Sequence, residues 1–527
     1  MKVLISDNLH KDGIAIFEQH PNIDVVARPG MSPEELREQI KDADALAIRS
    51  ATKVTKELID AAPRLKVVGR AGTGLDNVDI AYASKKGIVV MNTPGGNTIT
   101  TAEHAISLML SLARNIPQAA LSMREGKWEK KKFQGMEIYN KVLGIIGLGR
   151  IGSVVAERAL GLKMRVLGYD PYITKESAAA KGVELVSLDE LLARSDFITL
   201  HIPKTKETVK ILDRKAFQKM KPGVKIINCA RGGLVDEQAL LEALKEGKVA
   251  GAALDVYETE PPGPDFPLRD LPNVICTPHL GASTEEAQAN VSVAICEQIL
   301  EYLLDGTIRN AVNAPSVSRE AMAQLRPYLT LAEALGGFQA QTIEGAITSV
   351  TVSYIGEVAK LDTKPLTHSI LKGLLFPRVG DEVNYVNAPS VAAARGIMVA
   401  EEKVEAGEDF TTLIRLTVRA GVEEGVVAGT IFGKYEPRLV QINKFRLEAI
   451  PEGHMLFIYN TDRPGVIGAI GTTIGRHDIN IARMTVGQEK ERGQNVILLT
   501  TDTPVTPECL KAVRDLEHVA MAIQLEL

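Results

Sequence analysis

From residue 1 to about 96, short apolar runs alternate with stretches whose apolar positions recur at helical spacing. Residues 3–6, 45–49, 65–68 and 88–91 have the pattern of strands, and residues 33–40 and 54–61 that of amphipathic helices. Such alternation predicts a parallel sheet, because a parallel return needs a crossover. A long helix is expected after Asn97, ending near Arg114. A second, stronger series opens at Lys141, with strands at 142–146, 164–169, 197–200, 225–228 and 251–255. It closes near 274–277 and is followed by a helix from about Glu285 to Leu304. Residues 310–318, with Pro315 among small neighbours, read as a linker. Beyond it helices mix with β-rich runs at 349–355 and 411–418. Residues 454–527 read strand, helix, strand, strand, helix, strand, the order of a ferredoxin-like unit.

A chain of 527 residues exceeds one ordinary hydrophobic core, so two to four domains are expected. The balance of 45% hydrophobic and 24% charged residues is that of a globular chain. A net charge of −5 supplies no global basic field, which argues against nucleic-acid and anionic-membrane partners. Cys229, Cys276, Cys296 and Cys509 are scattered without paired spacing, so neither a disulfide framework nor a metal site is expected. No stretch approaches the roughly 20 apolar residues of a membrane span. The first apolar run is too short for a signal-peptide core, and the cytoplasm is the expected compartment.

The strongest local signal is Gly147, Gly149 and Gly152, a G-x-G-x-x-G spacing between a strand and a helix. In that setting the first glycine makes a tight turn, the second admits a pyrophosphate, and the third lets helix and strand pack closely. Glycines serving packing alone are a real alternative. Asp170, ending the next strand about 20 residues further on, tips the reading toward a dinucleotide. Its carboxylate suits ribose hydroxyls and repels a 2′-phosphate, favouring NAD over NADP.

Arg231, Glu260 and His279 each follow a strand of the same series, where open parallel sheets bind ligands. Oxidising a 2-hydroxy acid needs a base, which a neutral His supplies, and a carboxylate to fix its tautomer. An Arg grips the substrate carboxylate with two parallel bonds. Each residue also has a plainer reading. A loop His is often only a surface group, Glu258 is a second nearby carboxylate, and Arg231 has Asp236 as a possible partner. In the N-terminal half, Arg49 and Arg70 also follow strands, and Thr73 and Gly74 offer backbone N–H groups to a carboxylate.

Taken together and in order over residues 1–313, these motifs resemble the D-2-hydroxyacid dehydrogenase family. The resemblance implies catalysis by Arg231, Glu260 and His279. It implies NAD contacts from Gly147, Gly149, Arg150, Ile151, Gly152, Asp170, Ile202, Ala230, Arg231, Asp255, His279, Gly281, Ala282 and Thr73. It further implies a Rossmann-like NAD domain (97–286) inserted in a flavodoxin-like substrate domain (1–96 and 287–313). Arg49-Ser50-Ala-Thr and Arg70-Ala-Gly-Thr73-Gly74 resemble the D-3-phosphoglycerate dehydrogenase subgroup, which implies phosphate or carboxylate contacts there. One of Lys130, Lys131 and Lys132 is then expected to reach substrate across a dimer interface. Residues 316–450 resemble the α+β intervening domain of the long-form enzymes, and 453–527 a regulatory ACT domain. The expected effector is L-serine, held by Asn460, Asp462 and Asn480 across paired copies in a homo-oligomer, a dimer or a tetramer. A dehydrogenase for glycerate or glyoxylate, and an NAD-sensing binding protein of the same fold, remain alternatives at this point.

Overall fold

The structure is a computed structural model that describes residues 1–317, 319–405, 409–489 and 493–527. Its first sheet contains β1 (Lys2–Ile5), β2 (Asp24–Ala27), β3 (Ala45–Ile48), β4 (Val67–Arg70) and β5 (Val89–Met91). All pairs are parallel, in the order β2-β1-β3-β4-β5, the flavodoxin-like arrangement. The second sheet contains β6 (Val142–Ile146), β7 (Arg165–Tyr169), β8 (Glu184–Leu185), β9 (Phe197–Leu200), β10 (Val224–Asn228), β11 (Val249–Leu254) and β12 (Val274–Cys276). It is also parallel, ordered β12-β11-β10-β9-β6-β7-β8. The strand order reverses between β6 and β9, and dinucleotides bind at such a switch point.

The chain crosses between these two sheets twice. Helix Thr98–Arg114 follows the first sheet but buries Ala102, Ala105 and Met109 with Leu143 and Phe197 of the second. Helix Glu285–Asp305 follows the second sheet but buries Val291, Ile295 and Ile299 with Val3, Val67 and Met91 of the first. Gly69 on β4 is a requirement of that return, because a Cβ there would run into Ile295 and Ile299. The two crossings leave a cleft between the carboxyl ends of both sheets.

A third sheet joins β13 (Ile347–Gly356), β14 (Met398–Val404), β15 (Thr412–Ala420), β16 (Glu423–Phe432), β17 (Glu436–Ile442) and β18 (Phe445–Ala449), ordered β14-β13-β15-β16-β17-β18. The fourth is antiparallel: β19 (His454–Thr461), β20 (Ile481–Glu489), β21 (Gln494–Thr501) and β22 (Val519–Glu526), ordered β20-β21-β19-β22. Helices Val466–Gly475 and Pro507–Arg514 bury Ile470 and Val513 on one of its faces, with Leu456 and Ile458. Its other face shares a core with the third sheet, and Phe457 meets Phe338 edge-on at 5.5 Å.

Local departures from the sequence pattern have simple causes. β2 escapes the apolar-run criterion because it is a half-exposed edge strand, Asp-Val-Val-Ala. The fourth strand runs Val67–Arg70 rather than 65–68, so Arg70 ends it and its side chain reaches the cleft. Val54 is bridged to Val78 instead of opening a helix, which begins at Lys56 behind the Thr55 cap. The expected linker is partly pinned: Val312 donates to the Val90 carbonyl, and Asn313 Oδ1 accepts from Val90 N. Ser318, its last residue, lies outside the described residues. Among the described residues no helix is long and apolar enough to cross a membrane.

Candidate active site

The glycine turn sits where β6 delivers the chain to helix Arg150–Gly161. Gly147 adopts φ 94°, and the His201 carbonyl and Ile202 side chain occupy the place of a Cβ. A Cβ on Gly152 would overlap the Gly147 carbonyl, whereas Gly149 faces open space. The helix has no side-chain cap, so Arg150 and Ile151 open it with free N–H groups and a partial positive charge. Asp170 directly follows β7 and accepts from Leu148 N and Tyr172 N, each at 2.9 Å, which braces the turn. An open cradle, uncapped N–H groups and an acid beside it fit a dinucleotide pyrophosphate and ribose. Gly152→Ala is expected to weaken NAD+ binding about 10- to 100-fold by calorimetry, since overpacking costs roughly 1–3 kcal/mol. Unchanged affinity would show that the turn yields without cost.

Across this turn lies a cleft of about 1070 Å³ that gathers residues from both sheets. Arg49, Ser50, Arg70, Thr73 and Gly74 line one side, and Arg231, Glu260, His279 and Ala282 the other. His279 Nδ1 is 2.7 Å from Glu260 Oε2, and Glu260 Oε1 accepts from Tyr257 N at 3.1 Å. Glu260 rather than Glu258 is therefore the partner; Glu258 N instead donates to Glu237 at 2.7 Å. The Glu260 bond pushes the His279 imidazole above its ordinary range, against the effect of burial. Burial pulls the Glu260 carboxyl up, but the bonds from His279 and Tyr257 N outweigh it and hold it low.

This pair has a signed consequence for activity. A base works only when deprotonated, so kcat/KM is lost as pH falls through the raised His279 value. The acid limb is expected above the ordinary imidazole value of about 6.5. Glu260→Gln removes the charge and should move that limb to lower pH; a limb that stays put would dissociate Glu260 from His279.

Arg231 leaves β10 and reaches back over the cleft. Its Nε lies 3.2 Å from Asp76, and Nη1 donates to the Ala230 carbonyl at 2.7 Å. Asp236, the alternative partner, caps helix Glu237–Lys245 and pairs with Lys210. Arg70 is half-buried, and its buried Nε has no hydrogen-bond partner among the described residues. Burial, then the nearby Arg231 and Arg49, push its guanidinium down to about 10. Arginines crowded in this way gain from an anion placed among them. Thr73 Oγ1 donates to Asn97 at 2.8 Å, which ties the loop after β4 to the first crossing helix. Asp255 sits fully buried under the site, accepting from Leu280 N and Gly281 N at 2.8 Å. Its carboxylate also accepts from Thr277 Oγ1 at 2.6 Å.

Three family models match separate stretches of the chain. Residues 106–281 match the D-isomer specific 2-hydroxyacid dehydrogenase NAD binding domain, 324–443 the D-3-phosphoglycerate dehydrogenase intervening domain, and 454–518 the ACT domain. The D-3-phosphoglycerate dehydrogenase of Archaeoglobus fulgidus is 47% identical, with 100% of both chains covered. That of Methanocaldococcus jannaschii is 45% identical over 98% of each. The chain belongs to the D-3-phosphoglycerate dehydrogenase family. It is an NAD-dependent oxidoreductase of the D-2-hydroxyacid class. Among solved structures, the D-lactate dehydrogenase of Aquifex aeolicus complexed with NAD and lactic acid matches at TM-score 0.53 and 30% identity. That match covers 60% of this chain and 100% of the other. A glyoxylate reductase from Paecilomyes thermophila matches at TM-score 0.55 and 30% identity, covering 59% of this chain and 98% of that one.

The residues expected from the sequence to hold an effector lie on and beside the fourth sheet. Asn460 is buried near the end of β19, with Oδ1 unpartnered among the described residues and Nδ2 donating to the Thr461 carbonyl. Asp462 is exposed beside it. Asn480 precedes β20 and pairs with Asp502 at 2.7 Å. In the sheet register Asn460 faces Asn495, while Ile481 faces Thr501 at the other end of β21. One copy therefore does not bring Asn480 to Asn460 and Asp462. Lys130, Lys131 and Lys132 lie exposed on the connector and do not line the cleft of their own chain. Sequence reasoning passed over Lys53, Asp76 and Asn97, all of which line the cleft. Lys53 had a legible signal, a third cation just past a strand end; Asp76 and Asn97 had none, because their partners are distant in sequence.

Proposed function

We propose that the chain oxidises D-3-phosphoglycerate to 3-phosphohydroxypyruvate with NAD+, the first step of L-serine biosynthesis, in the cytoplasm. The observation that carries this reading is the 2.7 Å His279–Glu260 pair facing Arg49, Arg70 and Arg231 in one cleft. NAD+ supplies the hydride acceptor for C2. Glu260 holds Nδ1 of His279, which leaves Nε2 to take the hydroxyl proton as the hydride departs, so the carbonyl forms with charge balanced. Arg231 orients the substrate carboxylate, and the developing imidazolium is stabilised by Glu260. The N–H groups of Thr73 and Gly74 join Arg231 on the substrate carboxylate, and Arg49 and Arg70 receive the phosphate.

In this reading residues 1–96 and 287–313 form the substrate lobe and 97–286 the cofactor lobe. Residues 316–450 and 453–527 follow as intervening and ACT domains. L-serine is the effector, bound between copies of a homo-oligomer by Asn460 and Asp462 of one and Asn480 of another; the separation of Asn480 from Asn460 within one copy supports this reading. Initial rates of NADH formation with D-3-phosphoglycerate and D-glycerate, with and without L-serine, test it. The phosphorylated acid should turn over with much the lower KM, and L-serine should suppress that rate. Equal use of D-glycerate would remove the phosphate assignment, and indifference to L-serine would remove the effector.

A further inference from the structure

Helix Thr98–Arg114 carries a residue to which the catalytic reading gives no task. His104 Nε2 lies 3.2 Å from Asp255 Oδ1 and 3.4 Å from Thr277 Oγ1. Asp255 is fully buried, and its carboxylate is the hub of the turn that bears His279. Oδ1 accepts from Thr277 Oγ1 at 2.6 Å and Leu280 N at 2.8 Å, and Oδ2 from Gly281 N at 2.8 Å. His279 stands between these anchors at φ 55°. A non-glycine residue keeps that conformation only where its surroundings impose it.

The same helix supplies a second strut. Thr101 Oγ1 donates to the Gly281 carbonyl at 2.8 Å and accepts from Asn97 Nδ2 at 3.3 Å. Asn97 Oδ1 in turn accepts from Thr73. A polar line thus runs from the loop after β4, through the first turns of one helix, to the loop of the base. His104, on the same helix, meets that loop separately, at Asp255 and Thr277, and does not line the cleft.

A buried carboxylate is costly unless donors surround it, so each donor to Asp255 matters to the turn. Its neighbours at His104 Nε2 include an acceptor-only carboxylate, which assigns the proton to Nε2. We propose that His104 is a positioning residue, donating from Nε2 to Asp255 and so holding the turn of residues 277–281 in the geometry that aims His279 at the substrate. It acts through Asp255 and touches neither substrate nor cofactor. The reacting atoms must sit at near-attack distance, and a misplacement on the order of 1 Å costs about 10²-fold in rate.

The inference rests on His279 being the base, and the experiment separates the two. Steady-state kinetics with D-3-phosphoglycerate and NAD+ are compared for wild type, His104→Leu, His104→Gln, His104→Asn and His279→Ala. In His104→Leu, kcat should fall about 10- to 100-fold. KM for both reactants should move by less than about threefold, as expected when ground-state binding is kept. His104→Gln places an amide N–H as many bonds from the backbone as Nε2 and should restore most of kcat. His104→Asn is a bond too short and should not, and this Gln–Asn contrast decides the matter should the leucine variant fail to fold. Wild-type kcat in His104→Leu or His104→Asn, or a loss in His104→Gln as deep as in His104→Asn, overturns the positioning role. If His279→Ala itself keeps wild-type turnover, the base assignment falls and this inference falls with it.

Discussion

Replacing His279 by Ala is expected to lower kcat about 10²–10⁴-fold, the usual cost of removing a positioned acid–base. NAD+ affinity should hold, because His279 stands at the mouth of the cleft, half-exposed, while the glycine turn is built by β6, β7 and the helix after them. Fold stability should hold as well. His279 contributes one side-chain bond, to Glu260, whereas the turn around it is anchored by Asp255 to backbone N–H groups that the substitution leaves in place. The check is single-turnover NADH formation alongside calorimetric NAD+ titration. Near-normal turnover would require another group within reach of the hydroxyl to act as base.

The second large effect belongs to Arg231. Truncating one partner of a hydrogen-bonded charge pair costs about 2–5 kcal/mol, so Arg231→Ala should lower kcat/KM on the order of 10²–10³-fold. Arg231→Lys should recover little, since an ammonium is a point charge without the planar fork that meets a carboxylate at two points. The melting temperature is a useful control. Arg231 pairs across the cleft with Asp76, whose side chain is 71% exposed, and an ion pair so placed contributes about 0–1 kcal/mol. A large loss of stability with little loss of kcat/KM would mean that Arg231 is a strut between lobes and not a substrate grip.

Several particular elements show why the sequence was readable where it was. β3, β6 and β9 are buried on both faces, and so they appear as continuous apolar runs. The glycine turn is legible because steric need is local: Gly152 must lack a Cβ to pass Gly147, five residues away. Glu260 and His279 are legible as chemistry, since each follows a strand of a recognisable series, but spacing alone left the choice of carboxylate open and only the family resemblance favoured Glu260. Glu258 and Glu260 are indistinguishable by spacing, and only the path of the loop puts Glu260 at 2.7 Å from His279. Arg231 and Asp236 share a turn in sequence, yet Arg231 finds Asp76 on the other lobe. Nothing in local spacing announces a partner that a domain crossing delivers.

The sequence by itself determined the series of strands and helices, the dinucleotide turn, the residue types that do the chemistry, and the family. Those features arise from interactions within a turn, a helix or one strand–helix unit, where spacing along the chain equals spacing in space. The tertiary structure alone decided which charges meet. It brought Arg49 and Arg70 of the first sheet to Arg231 of the second, buried Asp255 beneath the His279 turn, and set Asn480 at the opposite end of β21 from Asn460. These contacts depend on two helices that each pack on the other sheet, and on strand register, which fixes distances between residues that the chain itself keeps far apart.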